Sequence, residues 1–449
     1  MNSKEVILMR VLLINPYSGG YYYRLGAVYP PLGLMYISSS LKRKGHSVAL
    51  IDMNVEKFDL ERFNFRDYDV VGISADTVRF PVVERIAEKA KAQNVTVVMG
   101  GPHTTACYHE ILQKGLCDYV VLGEGERAFS DLVESIASSE KYPLIPGVAY
   151  MKDGEVIALP SRFLENLDDL PFPDREKVHL YRTKFAGERA TSLITSRGCP
   201  FNCEFCSASQ FMGRRIRWRS IENVMDELKI LKKKGYGSVV FFDDNFTINP
   251  KRVVNLCEEM LSEDLRFKWW AFSRADELLG REDMVEAMSK AGCRMLFIGF
   301  ESANDEVLEE YGKNLKSDIA FDVMNLLKKY KIDVFASFVI GALKDTRKTI
   351  EKTVKFAKKL KASIVQFSIL TPYPGTVLFE KLKHLIVEKD WRKFDGTHLV
   401  FKHPNFSPRE LRRLFMKAYY AVYTSPKLMF KRGIPFLVRL LSHREAYSL

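Results

Sequence analysis

The sequence lacks any long apolar run: nowhere in its 449 residues do 18 or more apolar residues follow one another, which excludes a conventional membrane-spanning helix. No secretory leader is expected from its opening residues, because the apolar stretch from Val6 to Ile14 is broken by Arg10 and reads better as a first strand. Cysteine is scarce and odd in number, with Cys107, Cys117, Cys199, Cys203, Cys206, Cys257 and Cys293, so a disulfide framework is excluded and a reducing, cytoplasmic setting is expected. Acidic residues are nearly missing from the end of the chain. Residues 401–449 hold ten Lys or Arg against Glu410 and Glu445, which accounts for eight of the twelve net positive charges.

What is present is an ordinary globular composition, 47% hydrophobic and 28% charged, over a length that suits two or three domains. Between residues 10 and 140 strand-like and helix-like segments alternate, the pattern of a parallel sheet with crossover helices. Strands are expected at Arg10–Asn15, His46–Asp52, Asp69–Ser74, Thr96–Met99 and Tyr119–Leu122, each almost wholly apolar, as a sheet buried on both faces requires. Ligands of such folds bind beyond the carboxyl ends of the strands. The loops to read are therefore Asn15-Pro16-Tyr17-Ser18-Gly19-Gly20, Ser74-Ala75-Asp76-Thr77, Gly100-Gly101-Pro102-His103 and Gly123-Glu124-Gly125-Glu126. Any one of them could be a mere turn; four in register point to a ligand.

Residues 141–190, rich in proline and aspartate, read as a linker. A second βα series follows, with strands expected at Ser192–Thr195, Ser238–Asp243, Lys268–Ser273, Arg294–Phe300, Asp333–Ile340 and Ser363–Leu370, and helices at 221–234, 250–263, 281–291, 304–329 and 346–360. Six such units predict an open, partial (β/α)6 barrel with its site at the strand carboxyl ends. Trp269 and Trp270 should point to opposite faces of their strand, one into the core and one into the barrel. Cys257 and Cys293 read as core.

At the start of this series stands Ser196-Arg197-Gly198-Cys199-Pro200-Phe201-Asn202-Cys203-Glu204-Phe205-Cys206, three cysteines spaced C-x3-C-x2-C. A closed zinc site wants four ligands, whereas a cluster held by three thiolates leaves one iron open. The alternatives are a zinc site completed by a distant residue, or three unrelated buried cysteines.

This triad resembles that of the radical S-adenosylmethionine superfamily. The resemblance implies that Cys199, Cys203 and Cys206 hold a [4Fe–4S] cluster whose open iron takes S-adenosylmethionine, and that Phe205 lies beside its adenine. It further implies Asp243 and Asp244 near the methionyl amine, Arg274 facing the carboxylate, Glu301 near a ribose hydroxyl or the amine, and Ser337, Gly341 and Pro372–Thr376 around the cosubstrate. For Asp244 and Asp276 a capping or salt-bridge role is the alternative.

The loops of the first series resemble those of cobalamin-binding domains. Asn15 and Tyr17 stand where an Asp and the cobalt-ligating His would be, Gly20 and Ser74 match, Asp76 replaces a Leu, and Gly100-Gly101 match the glycine pair. Since a phenol is a poor substitute for imidazole, the resemblance implies cobalamin with its lower base detached, as in cobalamin-dependent members of the superfamily, where loops like that of His103 and that of Glu124, Gly125 and Glu126 recur. Thr77 belongs to the same set.

The expected organisation is α/β: a Rossmann-like cobalamin-binding domain at 1–140, a linker at 141–190, a radical S-adenosylmethionine barrel at 191–380 and a basic helical region at 381–449. The implied reaction is methylation of an unactivated carbon. The alternatives are ring formation of the magnesium-protoporphyrin monomethyl ester cyclase type and, in another class, a corrinoid-binding sensor or carrier. Implied partners are a reductant such as ferredoxin or flavodoxin and a hydrophobic small molecule, with no nucleic acid. The tail reads as a helical lid on the barrel. Its amphipathic segments, from Ser407 and from Lys427 to Leu441, also suit a peripheral contact with the inner face of a membrane and a lipid substrate.

Overall fold

The computed structural model describes residues 7–18, 28–313 and 315–424. Gly20 and the segment from Lys427 to Leu441 lie outside these residues.

The first sheet has the order β2-β1-β3-β4-β5-β6-β7, with β1 Arg10–Asn15, β2 Ser47–Asp52, β3 Val70–Ser74, β4 Thr96–Gly100, β5 Tyr119–Val121, β6 Val148–Lys152 and β7 Glu155–Ala158. The first five are parallel, and the chain reverses direction along the sheet between β1 and β3. Loops after those two strands therefore diverge and open a crevice. Apolar clusters cover both faces, which is why the strands carry unbroken apolar runs.

In this unit one expectation is corrected and one element was missed. The segment 141–190 is only in part a linker: β6 and β7 extend the first sheet antiparallel through a turn at Asp153-Gly154, both at positive φ as a tight hairpin of right-handed twist demands. A helix at Pro102–Gln113 went unread after β4, because its apolar periodicity is weak and it kinks at Cys107.

The second sheet runs β16-β15-β14-β13-β12-β9-β8 and is open, curling into a half-barrel. Its strands are β8 Lys184–Phe185, β9 Glu188–Leu193, β12 Ser238–Phe241, β13 Lys268–Ser273, β14 Cys293–Glu301, β15 Asp333–Ile340 and β16 Ile364–Ile369; a separate hairpin pairs β10 Ser196–Arg197 with β11 Arg217–Trp218. From β9 to β16 every pairing is parallel and follows chain order. Among the described residues helices pack on one face. Trp269, Ala271, Leu296, Ile298, Val334, Ala336 and Phe338 are buried against them, while alternate residues such as Trp270, Phe272, Phe297 and Phe335 stay part-exposed on the concave side.

The strand expected at Ser192–Thr195 lies earlier, at Glu188–Leu193, because Thr195 and Ser196 leave the sheet to bond Asp243. The helix expected over 304–329 is two, Asp305–Glu310 and Ile319–Lys329. Between them Gly312, at φ +67°, lies so near the cysteine loop that a Cβ there would fall 2.7 Å from the Asn202 carbonyl oxygen.

At the far edge the helix Pro408–Tyr423 begins as expected, with a capping box between Ser407 and Glu410. Its apolar face, Leu411, Leu414, Phe415, Ala418 and Val422, joins the barrel core. The hydroxyls of Tyr419 and Tyr423 reach the outward backbone groups of Phe367 and Val365, and the Gly396 carbonyl accepts from Ile369 N–H. The edge of β16 is thereby covered.

Candidate functional site

The cysteine loop is gripped at both ends. Gly198 turns the chain at φ +92°, where a Cβ would lie 2.4 Å from the Arg215 carbonyl oxygen, so only glycine fits beside β11. Cys199 N–H donates to Gly213 O at 3.1 Å, Glu204 N–H to Tyr311 O at 3.0 Å, and Leu378 N–H to Glu204 O at 2.9 Å. The three thiols are part-buried. Burial pushes the Cys199 thiol up to about 11 and raises Cys206, opposed by backbone N–H groups of Phe201 at the first and of Ala208 and Ser209 at the second. Arg274 places Nη1 3.8 Å from Cys203 Sγ and its guanidinium 3.6 Å from the Phe201 ring centroid. Part-buried thiols that already receive N–H donors and face a cation are what a negatively charged iron–sulfur cluster requires, and binding iron would displace their protons. Among the described residues no group of three or more His, Cys, Asp and Glu side chains is arranged to grip a single metal ion.

The other barrel residues divide. Asp243 is fully buried and accepts from Thr195 N–H (2.7 Å), Thr195 Oγ1 (2.5 Å) and Ser196 Oγ (2.6 Å), while Asp244 accepts from Gly198 N–H at 2.9 Å. Both carboxyls are raised by burial. The hydrogen bonds of this acidic pair, expected at the cosubstrate amine, go to the strand-to-loop segment that precedes Cys199. Asp276 forms a salt bridge with Arg274 at 3.0 Å. Phe205 packs edge-on to Tyr311 at 5.2 Å. Glu301 sits at φ +60° where the β14–β15 register shifts, and its carboxylate pairs at 3.0 Å with Lys313, which is also buried. Strain of this kind in a non-glycine residue at a strand end marks a site held by its surroundings. Lys313 was unread, since nothing in Tyr311-Gly312-Lys313 sets it apart from a surface lysine. Ser337 lies on the concave face beside Gly299 and Gln366.

In the first unit, Asn15, Ser74 and Gly100 end the neighbouring strands β1, β3 and β4. Asn15 donates to Asp52 (3.0 Å) and accepts from Arg79 (2.7 Å), which also pairs with Asp76 at 2.6 Å; Tyr17 is part-buried in the loop beyond. Of the glycine pair, Gly101 is a packing requirement, since at φ +103° its Cβ would meet the Ala75 carbonyl oxygen at 2.6 Å. Gly100 has only ordinary contacts and leaves its side of the crevice open. His103 is buried between Phe80 and Trp391, shares a hydrogen bond with Thr77 Oγ1 at 3.2 Å, and is lowered to about 4 by burial, so its ring is neutral near pH 7.

Glu124 and Glu126 depart most from expectation. Glu124 accepts from Arg197 (3.0 Å), from Arg217 (2.7 Å) and from Leu164 N–H (2.8 Å), and Glu126 pairs with Arg197 at 2.6 Å, all with side chains at most 6% exposed. For Arg197, burial would lower the pKa, but Glu126 and then Glu124 outweigh it and hold the charge firmly. The loop after β5, with Gly125 at the start of its helix, thus binds the hairpin that carries the cysteines. Arg197 and Arg217 were legible only as two basic residues near the triad; what makes them partners is burial.

Comparison with known proteins follows the same two-part division. The B12 binding domain family matches residues 23–133 and the Radical SAM superfamily residues 193–357. An uncharacterized methyltransferase of Pyrococcus horikoshii, PH0819, is 36% identical over 94% of this chain and 94% of its own length. The hopanoid C-3 methylase of Methylococcus capsulatus is 30% identical over 87% of this chain and 76% of its own. Among solved structures, the cobalamin-dependent S-adenosylmethionine radical enzyme OxsB, with aqua-cobalamin and S-adenosylmethionine bound, superposes with a TM-score of 0.79 at 18% identity, over 97% of this chain and 70% of that one. The radical S-adenosylmethionine methyltransferase TsrM of Kitasatospora setae, with cobalamin and a [4Fe–4S] cluster, gives 0.74 at 17% identity over 93% and 90%. These two likenesses concern the fold. The near full-length identity to the first relative, with both family matches in this order, shows that the chain belongs to the family of cobalamin-dependent radical S-adenosylmethionine methyltransferases.

Proposed function

We propose that the protein transfers a methyl group from cobalamin to an unactivated carbon of a hydrophobic substrate. The observation that carries this reading is the buried link from Glu124 and Glu126 to Arg197, two residues before Cys199: it joins the loops expected at the corrinoid to the loop expected at the cluster. Such a link suits a reaction in which two cofactors must face one substrate, and has no evident use in a corrinoid carrier.

Cys199, Cys203 and Cys206 would hold the [4Fe–4S] cluster, and the open mouth of the barrel near Arg274, Glu301 and Ser337 would take S-adenosylmethionine. The loops of Asn15, Tyr17, Ser74, Thr77, Gly100 and His103 would hold cobalamin with its lower base detached. When bound, these groups supply an electron that cleaves the sulfonium to a 5′-deoxyadenosyl radical, and a methyl group for the substrate radical that follows. The chain's own contribution is orientation and exclusion of water. Asp243 and Asp244 aim the cysteine loop, Arg274 offsets its negative charge, and Lys313 holds the Glu301 carboxylate in place at 3.0 Å.

A lipid substrate is compatible with the hopanoid methylase relative. The amphipathic helix offered as its membrane anchor does not support it, because the apolar face of Pro408–Tyr423 is spent on the barrel. Among the described residues no helix is long and apolar enough to cross a membrane.

The test is anaerobic reconstitution with iron, sulfide and hydroxocobalamin, followed by reductant and S-adenosylmethionine. The expected products are 5′-deoxyadenosine and S-adenosylhomocysteine, both lost in Cys199→Ala. No 5′-deoxyadenosine from the intact protein would refute the radical reading, and 5′-deoxyadenosine without S-adenosylhomocysteine would select the cyclase alternative.

A further inference from the structure

The concave face of the half-barrel carries a continuous row of aromatic rings. Phe242, Phe272, Phe297 and Phe335 stand on four adjacent strands or their ends, the last three in direct register, with ring centroids 6.0, 5.1 and 4.8 Å apart in that order. Trp270, one step lower on β13, touches Phe272 at 5.3 Å and Phe242 at 6.1 Å. The first unit adds Tyr29, edge-on to Phe242 at 5.2 Å, so the row crosses the junction of the two units.

This row is not core. The rings of the helix-covered face, Trp269, Phe241, Phe338 and Phe367, are sealed to 2% exposure or less, whereas all six of the concave row remain part-exposed. A sheet face that needed only filling would be met by aliphatic side chains under a covering element. Here the rings keep part of their surface exposed, and part-exposed apolar surfaces in a concavity mark ligand sites. The row spans three inter-strand steps of about 4.8 Å, or about 14 Å before Tyr29 is counted. That is longer than a single aromatic ring or amino-acid side chain can use. The rings meet edge-on or tilted, so they form a stiff wall that cannot wrap around a flexible chain.

The level above is polar. Gly299 and Ser337 lie two residues beyond Phe297 and Phe335, Gln366 faces Ser337, the Glu301–Lys313 pair adjoins Gly299, and Arg274 follows β13. A molecule on the wall would thus have one apolar flank against rings and one edge towards hydrogen-bonding groups and the cysteine loop.

We infer that the substrate of the proposed reaction is a rigid, polycyclic apolar molecule that lays one ring face along the wall formed by Tyr29, Phe242, Trp270, Phe272, Phe297 and Phe335. This rests on the methyl-transfer reading for the word substrate, but the surface itself can be tested without catalysis.

The test is binding to the full chain loaded with cluster and cobalamin, in the absence of reductant and S-adenosylmethionine. The probes are 1-pyrenebutyrate, a rigid four-ring plane, and dodecanoate, a flexible chain with the same carboxylate end. The wall predicts that pyrenebutyrate binds at least tenfold more tightly than dodecanoate, and that Phe297→Ala weakens it at least fivefold. Phe297→Leu, which keeps apolar bulk and removes the ring face, should weaken it several-fold and serves if the alanine variant does not fold. Equal affinity for the two probes, or pyrenebutyrate binding unchanged in both variants, would overturn the inference. Loss of methyl transfer with this binding intact would instead refute the reading under Proposed function.

Discussion

The two parallel sheets share one local rule and differ in cover. The first is packed on both faces, so the ligand site proposed for it is confined to the ends of β1, β3 and β4, where Ser74 and Gly100 are small. The second is packed by helices on one face, and on the other its aromatic residues stay part-exposed, which is the surface proposed for binding. Cover, more than strand composition, decides where chemistry can occur. The contacts between the sheets sharpen the point, because Glu124 and Glu126 come from the first unit yet act on the loop of the second.

The largest test breaks that contact. Glu124→Ala leaves Arg217 buried without its carboxylate and Arg197 with Glu126 alone, and the loss should be about 3–5 kcal/mol. Asp169→Ala, which removes the exposed partner of Arg127, should cost under about 1 kcal/mol. Urea denaturation of the two variants measures the contrast. Should Glu124→Ala keep wild-type stability and lose only cobalamin affinity, Glu124 would belong to the ligand site after all.

A second test concerns His103, where the first unit meets Trp391 from the far end of the chain. Burial lowers its pKa to about 4, against about 6.5 when unfolded. The unfolded chain therefore takes the proton first as pH falls. Stability from this residue is whole above about pH 6.5 and is lost as pH falls through about 4, by about 3 kcal/mol at most. His103→Gln should flatten the pH dependence of the melting temperature between those limits. An unchanged profile would show that the ring is more accessible than its packing implies.

A third test separates glycines needed for packing from those that leave room. Gly198→Ala forces a positive φ and a contact of 2.4 Å with the Arg215 carbonyl oxygen, whereas the nearest atom to a Cβ at Gly100 is 3.7 Å away. The first should cost about 1–3 kcal/mol and impair cluster loading, read by iron content and absorbance. The second should leave the fold intact and act only on cobalamin affinity.

These contrasts also explain what was legible in the sequence. Periodicity placed Arg10–Asn15, Lys268–Ser273 and Asp333–Ile340 to the residue, because a strand buried on one or both faces leaves that pattern in its apolar positions. It also separated Trp269 from Trp270. The triad was legible because its chemistry is local in sequence. What escaped depends on distant partners. Glu124, Glu126, Asp243 and Asp244 read as ligand groups, and their bonds to Arg197, Arg217 and the backbone before Cys199 were not legible, because a buried carboxylate shows its partners only in the fold. The aromatic wall escaped for the same reason: Phe272, Phe297 and Phe335 are 25 or more residues apart and become neighbours only through the register of β13, β14 and β15.

The smallest expected effect lies at the open edge of the second sheet. An uncovered edge strand exposes a row of backbone groups, and on β16 those of Val365 and Phe367 are met by single hydroxyls that both accept and donate: Tyr423 at 2.9 and 2.7 Å, Tyr419 at 3.1 and 3.0 Å. Tyr423→Phe keeps the ring that stacks on Tyr419 and removes only the hydroxyl. It should cost about 1 kcal/mol, the net worth of such bonds where water can partly replace them. Hydrogen exchange should quicken at the Val365 amide and not at Val334 on the interior strand β15. Equal protection at Val365 in the variant would mean that the edge is covered by something other than the hydroxyl. A change confined to Val365 would show that the half-barrel, left open for its ligand on one face, is closed at its rim by side chains standing in for a missing strand.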